Sequence, residues 1–207
     1  MINLIQKYCE ELLDREPCST LPFHNKDHTI EVVNNIKLIA HQMGLTPEEM
    51  EPIILAGWFH DAGHSICYEG HEFKSVEIAE RFLKTIDYPD DKIDEVVSCI
   101  LATRMPQNPK NLPEKVICDA DIMHISGIQF FYRKLLLRRE WEMVLNKYFM
   151  DKEWHELNLE FLENQEFHTD YCKSILSKGV DENKQRMLRL LNSYENNELI
   201  FENLNKA

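Results

Sequence analysis

The sequence predicts an all-α fold, and three observations carry that prediction. Apolar residues recur at helical spacing along nearly the whole chain, no stretch alternates over a strand's length, and Thr, Asp, Gly and Pro fall where helices start and stop. Ile2, Ile5, Cys9, Leu12 and Leu13 form the first stripe. A second helix begins near His24, carries Val32, Ile36, Ile39 and Met43, and stops at Gly44. Thr46-Pro47-Glu48-Glu49 reads as an N-cap, a proline at the first helical position and a capping-box glutamate. Pro52 has no N–H to give, so a break or kink is expected there. The apolar run Ile53-Ile54-Leu55-Ala56-Gly57-Trp58-Phe59 then predicts a buried helix running to His60.

Another helix spans His71 to Ile86, with Val76, Ala79, Phe82, Leu83 and Ile86 turned inward. Asp90 or Asp91 caps the next, whose apolar positions are Ile93, Val96, Val97, Ile100 and Leu101. Pro106, Pro109 and Pro113 mark a loop before a helix bearing Asp119 and Asp121. From Ile128 onward the chain is helical, acidic and aromatic, and Gly179 is expected to break it before a terminal helix from Asp181 through Leu191. With no repeat and no linker, the economical organisation is one domain over 1–207. Its core spans about 20–128, followed by a C-terminal helical extension over about 129–207.

Composition narrows the function classes. The chain has 207 residues, 43% hydrophobic and 29% charged, which suits a protein with a sizeable core. No apolar stretch approaches the roughly 20 residues of a membrane span, and the first residues lack the pattern of an export signal, so the expected compartment is the cytoplasm. The six cysteines have no C-x-x-C spacing and are expected as reduced thiols. A formal charge of −13 argues against binding nucleic-acid polymers through their backbone. It leaves room for a small phosphorylated substrate, because a bound cation reverses the local field. The amphipathic, aromatic C-terminal helices offer a surface for a homodimer.

His60-Asp61 closes the most apolar run of the chain, and two ionisable groups there need partners. His24 and His28 lie upstream, and Cys118-Asp119-Ala120-Asp121-Ile122 lies downstream. The order His…His-Asp…Asp reads as a divalent-metal site of mixed nitrogen and oxygen donors with positions left open. His24 and His28 share a face if one helix includes both; a start one turn later leaves His24 in the preceding loop. Spacing alone does not choose between Asp119 and Asp121.

His28, His60-Asp61 and Asp121 resemble the ligand set of the HD-domain metal-dependent phosphohydrolases, a helical superfamily. Phe23-His24-Asn25-x-x-His28 is similar to the Tyr-His-Asn-x-x-His segment of cyclic-nucleotide phosphodiesterases, which share the architecture. The resemblance implies an HD-domain, phosphodiesterase-like helical bundle with His28, His60, Asp61 and Asp121 on the metal. It also implies that Asp119 is not a ligand and that His24 acts as the proton donor to the leaving oxygen. The implied cofactor is Mn²⁺, Fe²⁺, Zn²⁺, Mg²⁺ or a similar ion. One ion is favoured, because Ile100-Leu101-Ala102-Thr103-Arg104 holds no His where two-metal members carry one. A second ion would be held through His71, in a Gly-His-Glu-x-x-Ser segment that also resembles this superfamily.

The implied chemistry is hydrolysis of a small phosphoester, a nucleotide or cyclic nucleotide, by metal-activated water. Asp61 and His24 are then catalytic. His64 either holds phosphate or moves a proton, and His71 and Arg104 are candidate phosphate holders, Arg104 through its rigid fork of donors. A metal-containing nucleotide sensor without turnover is the alternative from a different class. An alarmone hydrolase is disfavoured by His64-Ser65 standing where that group carries an acidic pair, and a diiron oxygenase by the missing histidine near Thr103.

Overall fold

A computed structural model describes residues 1–204, with side chains through residue 194. Residues 205–207, at the end of the expected C-terminal extension, lie outside the described residues. Among the described residues there are nine α-helices and no strand, as the periodicity requires. They are α1 (Ile2–Leu13), α2 (Lys26–Gln42), α3 (Pro47–Phe59), α4 (His71–Thr85), α5 (Asp90–Ala102), α6 (Leu112–Ile122), α7 (Phe130–Leu145), α8 (Asp151–Asn164) and α9 (Asp170–Leu204). Single 3-10 turns occupy Cys18–Thr20, Ala62–Ser65 and Met123–Ser126. None of the described helices is long and apolar enough to cross a membrane. All six cysteines are unpaired.

The chain divides into two compact units. The first comprises Met1–Met123 together with Phe167–Ser174; the second comprises His124–Glu166 and the chain from Ile175 onward.

In the first unit α3 is the central post, packed by α1, α2, α4, α5 and α6. That explains why its sequence is apolar on every side: all residues from Pro52 to Phe59 are buried. The capping box at Thr46 forms as read, with the Thr46 hydroxyl accepting from Glu49 N–H and the Glu49 carboxylate accepting from Thr46 N–H. The helix does not break at Pro52; it continues to Phe59. Proline at 52 withdraws the donor that the Glu48 carbonyl would otherwise receive, and Lys92 Nζ, arriving from α5, donates to that carbonyl at 3.3 Å. A donor forty residues away replaces the lost hydrogen bond.

The other boundaries follow local chemistry. Gly44 takes a positive φ of 75° just beyond α2, where a side chain would be strained. The N-cap of α5 is Pro89 rather than Asp90 or Asp91; both acids sit in the first turn, where they face the positive end of the helix dipole. Pro113 belongs to the first turn of α6, not to the loop, and Asn111 caps that helix by accepting from Glu114 N–H.

In the second unit Trp141, Phe149 and Trp154 form one aromatic cluster, with the two indoles edge to face at 5.5 Å. Asn183 Nδ2 donates to the carbonyls of Ile125 and Gly127. Gly179 does not break the chain, because α9 is continuous through it. A Cβ there would collide with the Ser126 carbonyl, so the glycine permits a close backbone approach instead of ending a helix.

Candidate metal centre

Helix ends of the first unit deliver the donors. Asn25 caps α2, its side chain accepting from Asp27 and His28 N–H, so the helix starts at Lys26 and His24 stays in the preceding loop. His28 lies in the first turn, His60 at the C-cap of α3, Asp61 and His64 in the 3-10 turn that follows, His71 at the start of α4 and Asp121 near the end of α6. His28, His60, Asp61 and His64 are buried.

The distances show one convergence point. His28 Nε2 lies 3.2 Å from Asp121 Oδ1 and 3.6 Å from Asp61 Oδ2; His60 Nε2 lies 3.2 Å from Asp61 Oδ2 and 3.8 Å from Asp121 Oδ1. Asp61 Oδ1 turns the other way, 3.3 Å from His71 Nε2 and 3.9 Å from His64 Nε2. Two groups of donor atoms are each compact enough for one metal ion: His28, His60 and Asp121, and His24, Asp61 and His64. Asp61 stands between them, one oxygen toward each side.

The residues fit a cation. His60 Nδ1 meets the Gly57 carbonyl at 2.8 Å, and His71 Nδ1 meets the Tyr68 carbonyl at 3.1 Å. Each carbonyl holds the proton on Nδ1 and leaves Nε2 facing the carboxylates. His60 Nε2 and Asp61 Oδ2 are buried 3.2 Å apart with no other hydrogen-bond partner among the described residues, so the pair needs a positive charge, a proton or a cation, between them. Such an arrangement costs free energy unless a positive charge is present.

The electrostatics agree. Burial lowers the proton affinity of His60, yet the adjacent Asp61 and then Asp121 outweigh it and raise the imidazole to about 9. Burial raises Asp61, but the charge and hydrogen bonds of His60 and His71 hold it well below the usual carboxylate range. His28 is lowered, burial being the dominant cause, and so favours the neutral form that a ligand needs.

One serine, unremarked by its residue type, holds this geometry. Ser75 Oγ donates to the His60 carbonyl at 2.6 Å and accepts from Gly63 N–H at 2.8 Å, wholly buried. It ties the His60–Gly63 turn to α4. Gly63 allows that closeness: a Cβ would strike the His71 carbonyl and come within 2.7 Å of Ser75 N. The only sequence signal was the spacing Gly-His-Glu-x-x-Ser.

Residues 26–125 match the family model described as HD domain. These residues are an HD domain. Two solved structures are similar in fold over most of the chain. A protein from an uncultured Thermotogales bacterium, described as a predicted HD superfamily hydrolase, is 17% identical with a TM-score of 0.59, covering 94% of this chain and 91% of its own. A Lactobacillus plantarum protein is 15% identical with a TM-score of 0.68, covering 96% and 97%. No curated protein matches at the sequence level.

Beside the HD-domain donors a cavity of about 300 Å³ opens, lined in part by His24, Asp61, His71, Thr103, Arg104 and Asp121. That volume is at the small end of ligand pockets. His24 reaches it, its ring 4.8 Å from that of His64, which in turn stacks on His71 at 3.8 Å. His64 is thus a buried wall of the site, not a loop histidine. Arg104 stands exposed at the rim. Asp119 lies elsewhere: fully buried, its carboxylate accepts from the N–H groups of His168 and Thr169 and from the Thr169 hydroxyl. Lys74 pairs with Glu77.

Proposed function

We propose that this HD-domain protein is a metal-dependent phosphohydrolase whose substrate is a small phosphoester of the nucleotide or cyclic-nucleotide class. The observation that carries the reading is Asp61: a buried carboxylate with one oxygen on the His28–His60–Asp121 side and the other toward His71 and His64, at the floor of an open cavity. His28, His60, Asp61 and Asp121 would hold one divalent ion. A divalent ion bound there supplies Lewis acidity toward a phosphoryl oxygen and lowers the pKa of water.

The chain's own residues do the remaining work. His24, on the cavity wall and outside the inner donor group, is placed to give a proton to the departing oxygen. His71, whose pKa burial lowers but Asp61 and Glu72 raise overall, lines the cavity where its Nε2 can share a proton with a phosphate oxygen. Arg104 presents donors from the rim. The walls exclude bulk water from the inner donors, which strengthens each of these interactions.

The test joins elemental analysis of the purified protein to a phosphomonoesterase and phosphodiesterase screen with Mn²⁺, Mg²⁺, Fe²⁺ and Zn²⁺. Asp61→Asn is expected to lose both bound metal and turnover. Unchanged turnover by that variant after chelation would overturn the assignment.

A further inference from the structure

Beyond the buried donors, the rim of the cavity carries a group of side chains that metal chemistry does not require. Phe73 is 49% exposed and Met105 45% exposed. The Arg104 guanidinium lies over the ring, 5.3 Å from its centroid. Among the described residues no carboxylate pairs with Arg104, so the ring alone orients the guanidinium. Arg104 and Met105 both line the cavity. Glu72 lines it as well and adds a negative charge to the same rim.

We infer that Phe73, Arg104 and Met105 form a recognition lip for a planar, uncharged ring carried by the leaving group of a phosphate monoester. This rests on the phosphoester reading above and narrows it. A phosphate seated over the His and Asp donors fills only a small part of the cavity of about 300 Å³, and the remainder of the ester extends along its lining to the rim, where Arg104 and Met105 stand. There it meets the Arg104 guanidinium, which lies over the Phe73 ring, and the Met105 thioether. Aromatic rings stack on both kinds of surface, and sulfur contacts ring edges favourably. An alkyl or polyol group gains less. A polyphosphate tail meets the Glu72 carboxylate at the same place, and like charges disfavour it. The ligand chemistry that fits is therefore an aryl or nucleoside monophosphate, in preference to a sugar, glycerol or polyphosphate ester.

Two phosphonates test the lip without turnover, because their C–P bond is not hydrolysed. Calorimetric titration of the Mn²⁺-loaded full chain with phenylphosphonate and methylphosphonate should give phenylphosphonate about five- to tenfold tighter binding. Phe73→Leu keeps the site apolar but removes the ring, and is expected to reduce the preference to about twofold or less. Arg104→Gln should weaken both ligands about tenfold. Equal affinities in the unmodified protein, a preference untouched in Phe73→Leu, or binding of neither ligand would overturn the lip. The ester screen runs in parallel. Turnover without a Phe73-dependent preference removes the lip alone. A Phe73-dependent preference without turnover of any ester removes the hydrolase reading and leaves the lip.

Discussion

Removing one buried hydroxyl should loosen the metal centre without touching a ligand. Ser75 Oγ satisfies two backbone groups at once, the His60 carbonyl at 2.6 Å and the Gly63 N–H at 2.8 Å. In Ser75→Ala both lose their partner inside a packed interior, where the side chain is fully buried and the space left is too small for water. Each unsatisfied backbone group costs about 1–3 kcal/mol, so the sum falls near 3 kcal/mol after partial relaxation. With a urea m-value of about 2 kcal/mol/M, the midpoint should fall by about 1.5 M at unchanged m. The turn that carries His60 and Asp61 also loses its tie to α4, and weaker support of metal ligands typically costs about 10–100-fold in affinity. Urea denaturation followed by circular dichroism measures the first quantity; competition with a chromophoric chelator for Mn²⁺ or Zn²⁺ measures the second. A destabilisation under about 0.5 kcal/mol together with unchanged metal affinity would refute the reasoning.

Other consequences can be measured alongside. Gly63→Ala forces a Cβ into the His71 carbonyl and should cost about 3 kcal/mol, read from the same denaturation curves; a neutral result would mean that the turn and α4 are not held together. Adding Mn²⁺ at about a hundred times its dissociation constant to stripped protein should stabilise it by about 2.7 kcal/mol, seen as a rise of several degrees in the thermal midpoint, and no rise would count against a preformed site. In the second unit Lys134 is buried, its Nζ 3.0 Å from His155 Nδ1 and over the Phe131 ring, and burial, then Arg138, lower it from 10.5 to about 8. Between pH 8 and 10.5 the unfolded chain keeps that proton and the folded one does not, so this lysine's contribution to stability rises with pH, by at most about 3 kcal/mol. Lys134→Met should flatten the stability curve over that window, and an unchanged slope would contradict the assignment.

What the sequence disclosed and what it hid divide along the range of the interactions. Gly44, Thr46, Pro47 and Glu49 act on backbone groups a few residues away, so their meaning is printed in the local order. His28, His60, Asp61 and Asp121 were legible because each sits at a helix end, where apolar patterning stops and an ionisable residue needs a reason. Pro52 and Gly179 misled for the opposite cause. Lys92 replaces the hydrogen bond that Pro52 withdraws, and Ser126 needs the space that Gly179 leaves, and neither partner is near in sequence. Ser75 and Lys134 were equally silent, since a serine or lysine within a helix is ordinarily solvated. The rim of the site was half legible: Arg104 could be named, but the Phe73 ring beneath it lies thirty-one positions earlier, on α4.

The Asp119 carboxylate sets a limit on how this protein can be cut. Its donors come from His168 and Thr169, far outside the stretch 26–125 that matches the HD family. A fragment trimmed to that stretch would retain the buried Asp119 carboxyl group two residues from Asp121, with all three of those donors gone. The smallest self-sufficient piece is therefore discontinuous in sequence, and truncation at the family boundary should yield insoluble or molten material rather than a miniature enzyme.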